Sequence, residues 1–154
     1  MIADPSGLTL HLDRVVRAPR PLVFEACTEA EKLAQWWGPR GFTAPAVELD
    51  LRVGGSYRIA MQPPDGELFY LSGEFRAIEP PARLVYTFRW EDPDPEDRET
   101  VVTVSLRDLA DATEFDLAQT GFATERRRAL HAGGWADSLD RLQQAMRSGG
   151  SADG

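Results

Sequence analysis

Leu8, Leu10 and Leu12 alternate with Thr9, His11 and Asp13. A two-residue period of this kind predicts a half-buried strand. Ala18-Pro19 and Pro21 interrupt it, and Leu22, Val23, Ala26 and Cys27 then fall on one apolar helical face. Thr28 and Glu31 match the T-x-x-E capping box, which predicts a second short helix carrying Leu33, Trp36 and Trp37 and stopping at Gly38-Pro39. From Phe42 to Gln119 the period returns to two. Val47, Leu49 and Leu51 alternate with charged residues, Gly54-Gly55 is a hairpin signal, and Tyr57, Ile59 and Met61 alternate after it. Phe69, Leu71, Phe75 and Ala77 share one face of a long strand in which Gly73 marks a bend or bulge. Leu84, Tyr86, Phe88 and Trp90 make the next strand, followed by EDPDPEDRE (91–99), read as an exposed acidic loop. Val102, Val104 and Leu106, then Phe115 and Leu117, complete the strands.

From about Thr124 the period becomes helical and runs to about Arg147. The expected organisation is a lead-in over 1–7, one domain over 8–147 and a flexible tail over 148–154. Within the domain the order is strand, two short helices, about six strands and one long helix, an α+β architecture. An antiparallel sheet must bury its apolar face, and the C-terminal helix is the one element long enough to cover it. A strongly curved sheet does not fit flush on a straight helix, and the gap becomes a concave, mostly apolar cavity of the kind that takes ligands.

The segment HAGGWADSLDRL (131–142) places two glycines inside this helix, each costing about 1 kcal/mol relative to alanine. At 100° per residue, Trp135, Leu139, Leu142 and Met146 form the apolar stripe. Gly133 falls opposite, with Asp137, Asp140 and Gln144, and is expected to face solvent. Gly134, Ser138 and Ala145 form a flank of small residues beside His131, where another backbone or a ligand can come close. A kink at the glycine pair is the competing account.

Charge and composition narrow the function. The formal net charge is −8, which repels nucleic acid and anionic membrane surfaces. No apolar run reaches the length of a membrane span and no signal peptide is evident, so a cytoplasmic protein is expected. Cys27 is the single cysteine and reads as a buried thiol. With two histidines at opposite ends of the chain, no metal-ligand spacing is present, and neither phosphate-binding glycine motif occurs. No metal, cofactor or catalytic residue is assigned.

Four ordered pieces carry a family resemblance: LTLHLDRVVRAPRPLVFEACTEAEKLAQWWGPRGF, VELDLRVGGSYRIAM, PPDGELFYLSGEFRAIEPPARLVYTFRWED and HAGGWADSLDRL. The chain resembles the SRPBCC (START-like) superfamily with its helix-grip fold, and within it the Hsp-90 ATPase activator homolog-like family. That resemblance implies a curved antiparallel sheet wrapped around the long C-terminal helix. It also implies one of three roles: binding a hydrophobic or aromatic small molecule, a cyclase or dehydratase reaction, or contact with a chaperone. The chaperone co-factors of that family carry a preceding domain for which this chain has no room, which disfavours the third.

Binding of a hydrophobic or aromatic small molecule between sheet and helix is expected. The expected lining is Trp37, Tyr57, Phe69, Phe75, Tyr86 and Phe88 from the sheet side and its approach, with Phe115. His131, Gly134, Trp135 and Leu139 line it from the helix. His131 is also the one candidate general acid or base for the enzymatic alternative. The partners expected are a hydrophobic small molecule, with a chaperone and a second copy of the chain left open, and neither nucleic acid nor membrane.

Overall fold

The computed structural model describes residues 8–153; the expected lead-in over 1–7 and residue 154 lie outside them. The chain runs β1 (Leu8–Val16), α1 (Arg20–Thr28), α2 (Ala30–Leu33), β2 (Thr43–Leu49), β3 (Ser56–Gln62), β4 (Phe69–Glu79), β5 (Arg83–Trp90), β6 (Thr100–Asp108), β7 (Thr113–Phe122) and α3 (Glu125–Asp153). The strands form one seven-stranded antiparallel sheet in the order β1-β7-β6-β5-β4-β3-β2. Its curved face grips α3, the helix-grip arrangement.

Three local expectations are corrected. Thr28 does not cap α2, because its hydroxyl donates back to the Phe24 carbonyl at 2.8 Å and so closes α1. α2 begins after Glu29 and ends at Leu33, so Trp36 and Trp37 ride on the turns that follow it. The β4 irregularity lies between Phe75 and Ala77, not at Gly73. Gly73 serves a close approach instead. A Cβ there would meet the Thr87 carbonyl oxygen at 2.0 Å and the Tyr57 ring at 2.7 Å. The Tyr57 ring crosses that space and its hydroxyl donates to the Thr87 carbonyl at 2.6 Å.

α3 continues as helix to Asp153, past Arg147 where its apolar periodicity stops. Residues 148–153 contain no proline to break it. The glycine pair at 133–134 does not interrupt the helix.

The core lies between sheet and helices, but its two ends are filled differently. α1 packs against β6 and α2 against β2, while α3 packs against β1 and β7. At one end of the sheet, Cys27, Leu33 and Trp36 from the short helices pack onto Tyr57, Phe75, Tyr86 and Phe115, leaving a void of only about 20 Å³. At the other end, the first turns of α3 stand away from β3, β4 and β5. That gap is the cavity on which the function depends.

Candidate functional site

The gap between α3 and the β3–β5 face is a cavity of about 760 Å³. Trp37, Pro39 and Phe42 from the segment after α2 close one side, and Met61, Phe69, Phe88 and Trp90 supply the sheet wall. His131, Gly134, Trp135 and Ser138 supply the helix wall, and Asp92, Asp94 and Asp97 stand at the β5–β6 loop.

The aromatic wall is continuous. Trp135 meets Trp37 edge-on at 5.1 Å, and Trp37 stacks near Phe88 at 6.5 Å. Phe88 meets Trp90 edge-on at 5.1 Å, and Trp90 lies 5.4 Å from Phe69. Alternation places these side chains: Phe88 and Trp90 are two apart on β5, and Leu71 pairs with Trp90 across the β4–β5 ladder.

Two of the three indole nitrogens at the cavity, those of Trp135 and Trp90, are already bonded. Trp135 Nε1 donates to Gln119 Oε1 at 2.7 Å; Gln119 Nε2 donates to Thr100 Oγ1 at 2.7 Å, and that hydroxyl donates to the Phe88 carbonyl at 3.4 Å. This chain is fully buried at Gln119 and satisfies a polar group that would otherwise be costly under the cavity. Trp90 Nε1 donates to His131 Nε2 at 3.2 Å. Burial, with the Arg127 charge beside it and Asp97 opposing, lowers His131 to about 4. The imidazole is therefore neutral at pH 7 and accepts from Trp90, a poor arrangement for a proton donor.

Two polar latches hold the cavity's edges. Arg127 on α3 bonds Asp97 through Nε at 2.7 Å and Nη2 at 2.6 Å, with both side chains largely buried. The 91–99 segment, expected as a solvated loop, is thus tied to the helix at Asp97, a partner that local sequence could not reveal. Arg141 Nη1 donates to the carbonyls of Trp37, Gly38 and Phe42 at 3.1–3.2 Å. Gly38 N–H donates to Ser138 Oγ at 3.0 Å, and Arg40 N–H to Asp137 Oδ2 at 3.1 Å. The small flank of α3 therefore admits a backbone: a Cβ at Gly134 would stand 3.6 Å from Pro39.

Of the residues expected to line one pocket, Trp37, Phe69, Phe88, His131, Gly134 and Trp135 meet in the large cavity. Tyr57, Phe75, Tyr86 and Phe115 do not; they surround the small void beneath α1 and α2. Burial there drives the Tyr86 phenol well above its ordinary range and the Cys27 thiol up to about 12. Leu139 is fully buried core. Gly133, expected to face solvent, is exposed but stands at the cavity's outer edge. Trp90, Met61, Phe42 and the Arg127–Asp97 pair were not singled out from sequence. Trp90 shares the period of Phe88, and Met61 that of Tyr57, so both were within reach of that signal.

Among the described residues, no group of three His, Cys, Asp or Glu side chains is placed to hold a metal, and no helix is long and apolar enough to cross a membrane.

A family model described as Activator of Hsp90 ATPase homolog 1-like protein matches residues 17–147. No curated protein matches the chain. Among solved structures, a protein of Chromobacterium violaceum is 28% identical over 90% of this chain and 96% of its own, with a TM-score of 0.77. A protein of Nitrosomonas europaea is 26% identical, covering 97% of this chain and 99% of its own, at 0.79. A protein of Arthrobacter aurescens is 24% identical, covering 96% of this chain and 90% of its own, and shares the fold at 0.82.

Proposed function

This chain belongs to the activator of Hsp90 ATPase homolog 1-like family, and from that premise we propose that it binds a hydrophobic or aromatic small molecule between β3–β5 and α3. The observation that carries this reading is the cavity itself: about 760 Å³, walled by Trp37, Phe69, Phe88, Trp90 and Trp135 and closed by two polar latches. Its size falls within the range of small-molecule sites, roughly 300–1,000 Å³. Recognition is by burial. An aromatic ligand covering about 300 Å² of apolar surface gains about 7.5 kcal/mol at 25 cal/mol per Å², before the cost of ordering.

The enzymatic alternative draws little from His131, which is neutral and already accepts the Trp90 N–H. A chaperone surface requires a contiguous apolar patch. Among the described residues, the exposed large apolar residues are distributed over β1, α1, the β2–β3, β3–β4 and β6–β7 links and α3.

The test is equilibrium titration with N-phenyl-1-naphthylamine, a neutral dye that fluoresces on leaving water. Saturable binding at one site, with dye emission excited through the tryptophans, is expected. A linear, non-saturating response would overturn the reading.

A further inference from the structure

Five charged side chains reach the cavity wall: Asp92, Asp94, Asp97, Asp137 and Arg127. The one cation is not free, because Arg127 is paired with Asp97 and both side chains are largely buried. Three of the cations nearby are also engaged. Arg126 pairs with Glu96 and Arg128 with Glu125, while the Arg141 guanidinium bonds backbone carbonyls between Gln35 and Phe42. Asp92, Asp94 and Asp137 stand at the cavity's edge outside these ion pairs. Asp94 Oδ1 accepts the Glu96 N–H and Asp137 Oδ2 the Arg40 N–H, neither of which neutralises it.

The rest of the wall gives the same sign. Aromatic rings carry negative faces, and a cation within about 6 Å of such a face is attracted. Trp37, Phe69, Phe88 and Trp90 all border the space. The indole N–H groups of Trp90 and Trp135, which could have met an anion, already donate within the protein. The chain as a whole carries −8. An anionic ligand would meet three carboxylates with no free cation on the wall.

We propose that the cavity selects a small aromatic or hydrophobic molecule bearing a cationic group: an amine whose apolar body lies against the Trp37–Phe88–Trp90 wall and whose ammonium sits at the β5–β6 end of the cavity, beside Asp92 and Asp94. This rests on the binding reading above, and adds to it the charge of the ligand.

The test uses three probes sharing one ring system: 2-(1-naphthyl)ethylamine, 2-(1-naphthyl)ethanol and 1-naphthaleneacetate, each competing with N-phenyl-1-naphthylamine. Binding of the neutral dye reports on the cavity alone, so a failure of the cavity reading is separable from a failure of charge selection. The amine is expected to bind about tenfold tighter than the alcohol at low salt, and the carboxylate more weakly than either. Raising the salt to about 0.5 M should shrink the amine's advantage, since the edge carboxylates are screened. The D92N/D94N double variant keeps the side-chain acceptors of the loop and should retain the dye, while the amine's advantage falls to about twofold. Amine and alcohol binding equally to a protein that holds the dye would overturn the proposal. So would a carboxylate that binds best, or an amine preference undiminished in the double variant.

Discussion

Trp90 on β5 donates its indole N–H to Nε2 of His131 on α3 at 3.2 Å, joining sheet to helix across the wall of the cavity. The bond requires an unprotonated imidazole, and burial supplies one by holding His131 near 4. Two consequences follow for stability, since the unfolded chain would titrate this histidine near its ordinary 6.5.

Above about pH 6.5 both folded and unfolded chains carry a neutral His131, and its contribution to stability is complete. Between about 6.5 and about 4 the unfolded chain takes up the proton while the folded one does not, so stability falls with falling pH, by about 3 kcal/mol across the window. Denaturant midpoints measured at pH 7 and pH 4.5 should show this loss in the wild type. H131F should be about 1 kcal/mol less stable at pH 7, having left the Trp90 N–H without its acceptor, but should lose less between the two pH values.

The two glycines of α3 should respond in opposite ways. Nothing lies within 4 Å of a Cβ at Gly133, so G133A should raise stability by about 0.5–1 kcal/mol through helix propensity, with dye affinity unchanged. A Cβ at Gly134 points toward Pro39, and G134L should fill the cavity's edge, weakening the dye by tenfold or more while thermal unfolding shows a folded protein. Equal dye binding in G134L and wild type would leave the small flank a purely structural device for docking the Gly38-Pro39 backbone.

Arg127 and Asp97 should behave as one unit. R127M leaves a buried carboxylate, and D97L a buried guanidinium, and each should cost about 2–3 kcal/mol. The double variant should recover much of that loss, and a double-mutant cycle by chemical denaturation reads the coupling directly. Either single variant should also speed amide exchange in residues 91–99, whose tether to α3 is gone.

Much of this arrangement was legible in the chain. Two-residue alternation named the strands, and the stripe of Trp135, Leu139 and Leu142 named the buried face of α3. What alternation could not supply is position along the sheet. Tyr57 and Met61 share one face of β3, yet Tyr57 lies beneath the short helices and Met61 borders the open cavity. The difference is set by where α1 and α2 pack, a tertiary fact with no local signal. The same holds for Asp97: in an acidic, proline-broken segment nothing marks one carboxylate as the partner of an arginine 30 residues later. Thr28 shows a different limit, since a capping-box pattern was present and its hydroxyl instead closed the helix before it.

The four indole N–H signals in a proton–nitrogen correlation spectrum give the most direct test of where a ligand goes. Trp37, Trp90 and Trp135 border the large cavity, whereas Trp36 is buried beneath α1, donating to the Ala26 carbonyl at 2.9 Å. On saturation with N-phenyl-1-naphthylamine, the account predicts that the Trp37, Trp90 and Trp135 signals shift and that of Trp36 stays in place. Three unmoved signals, or a shift confined to Trp36, would contradict it.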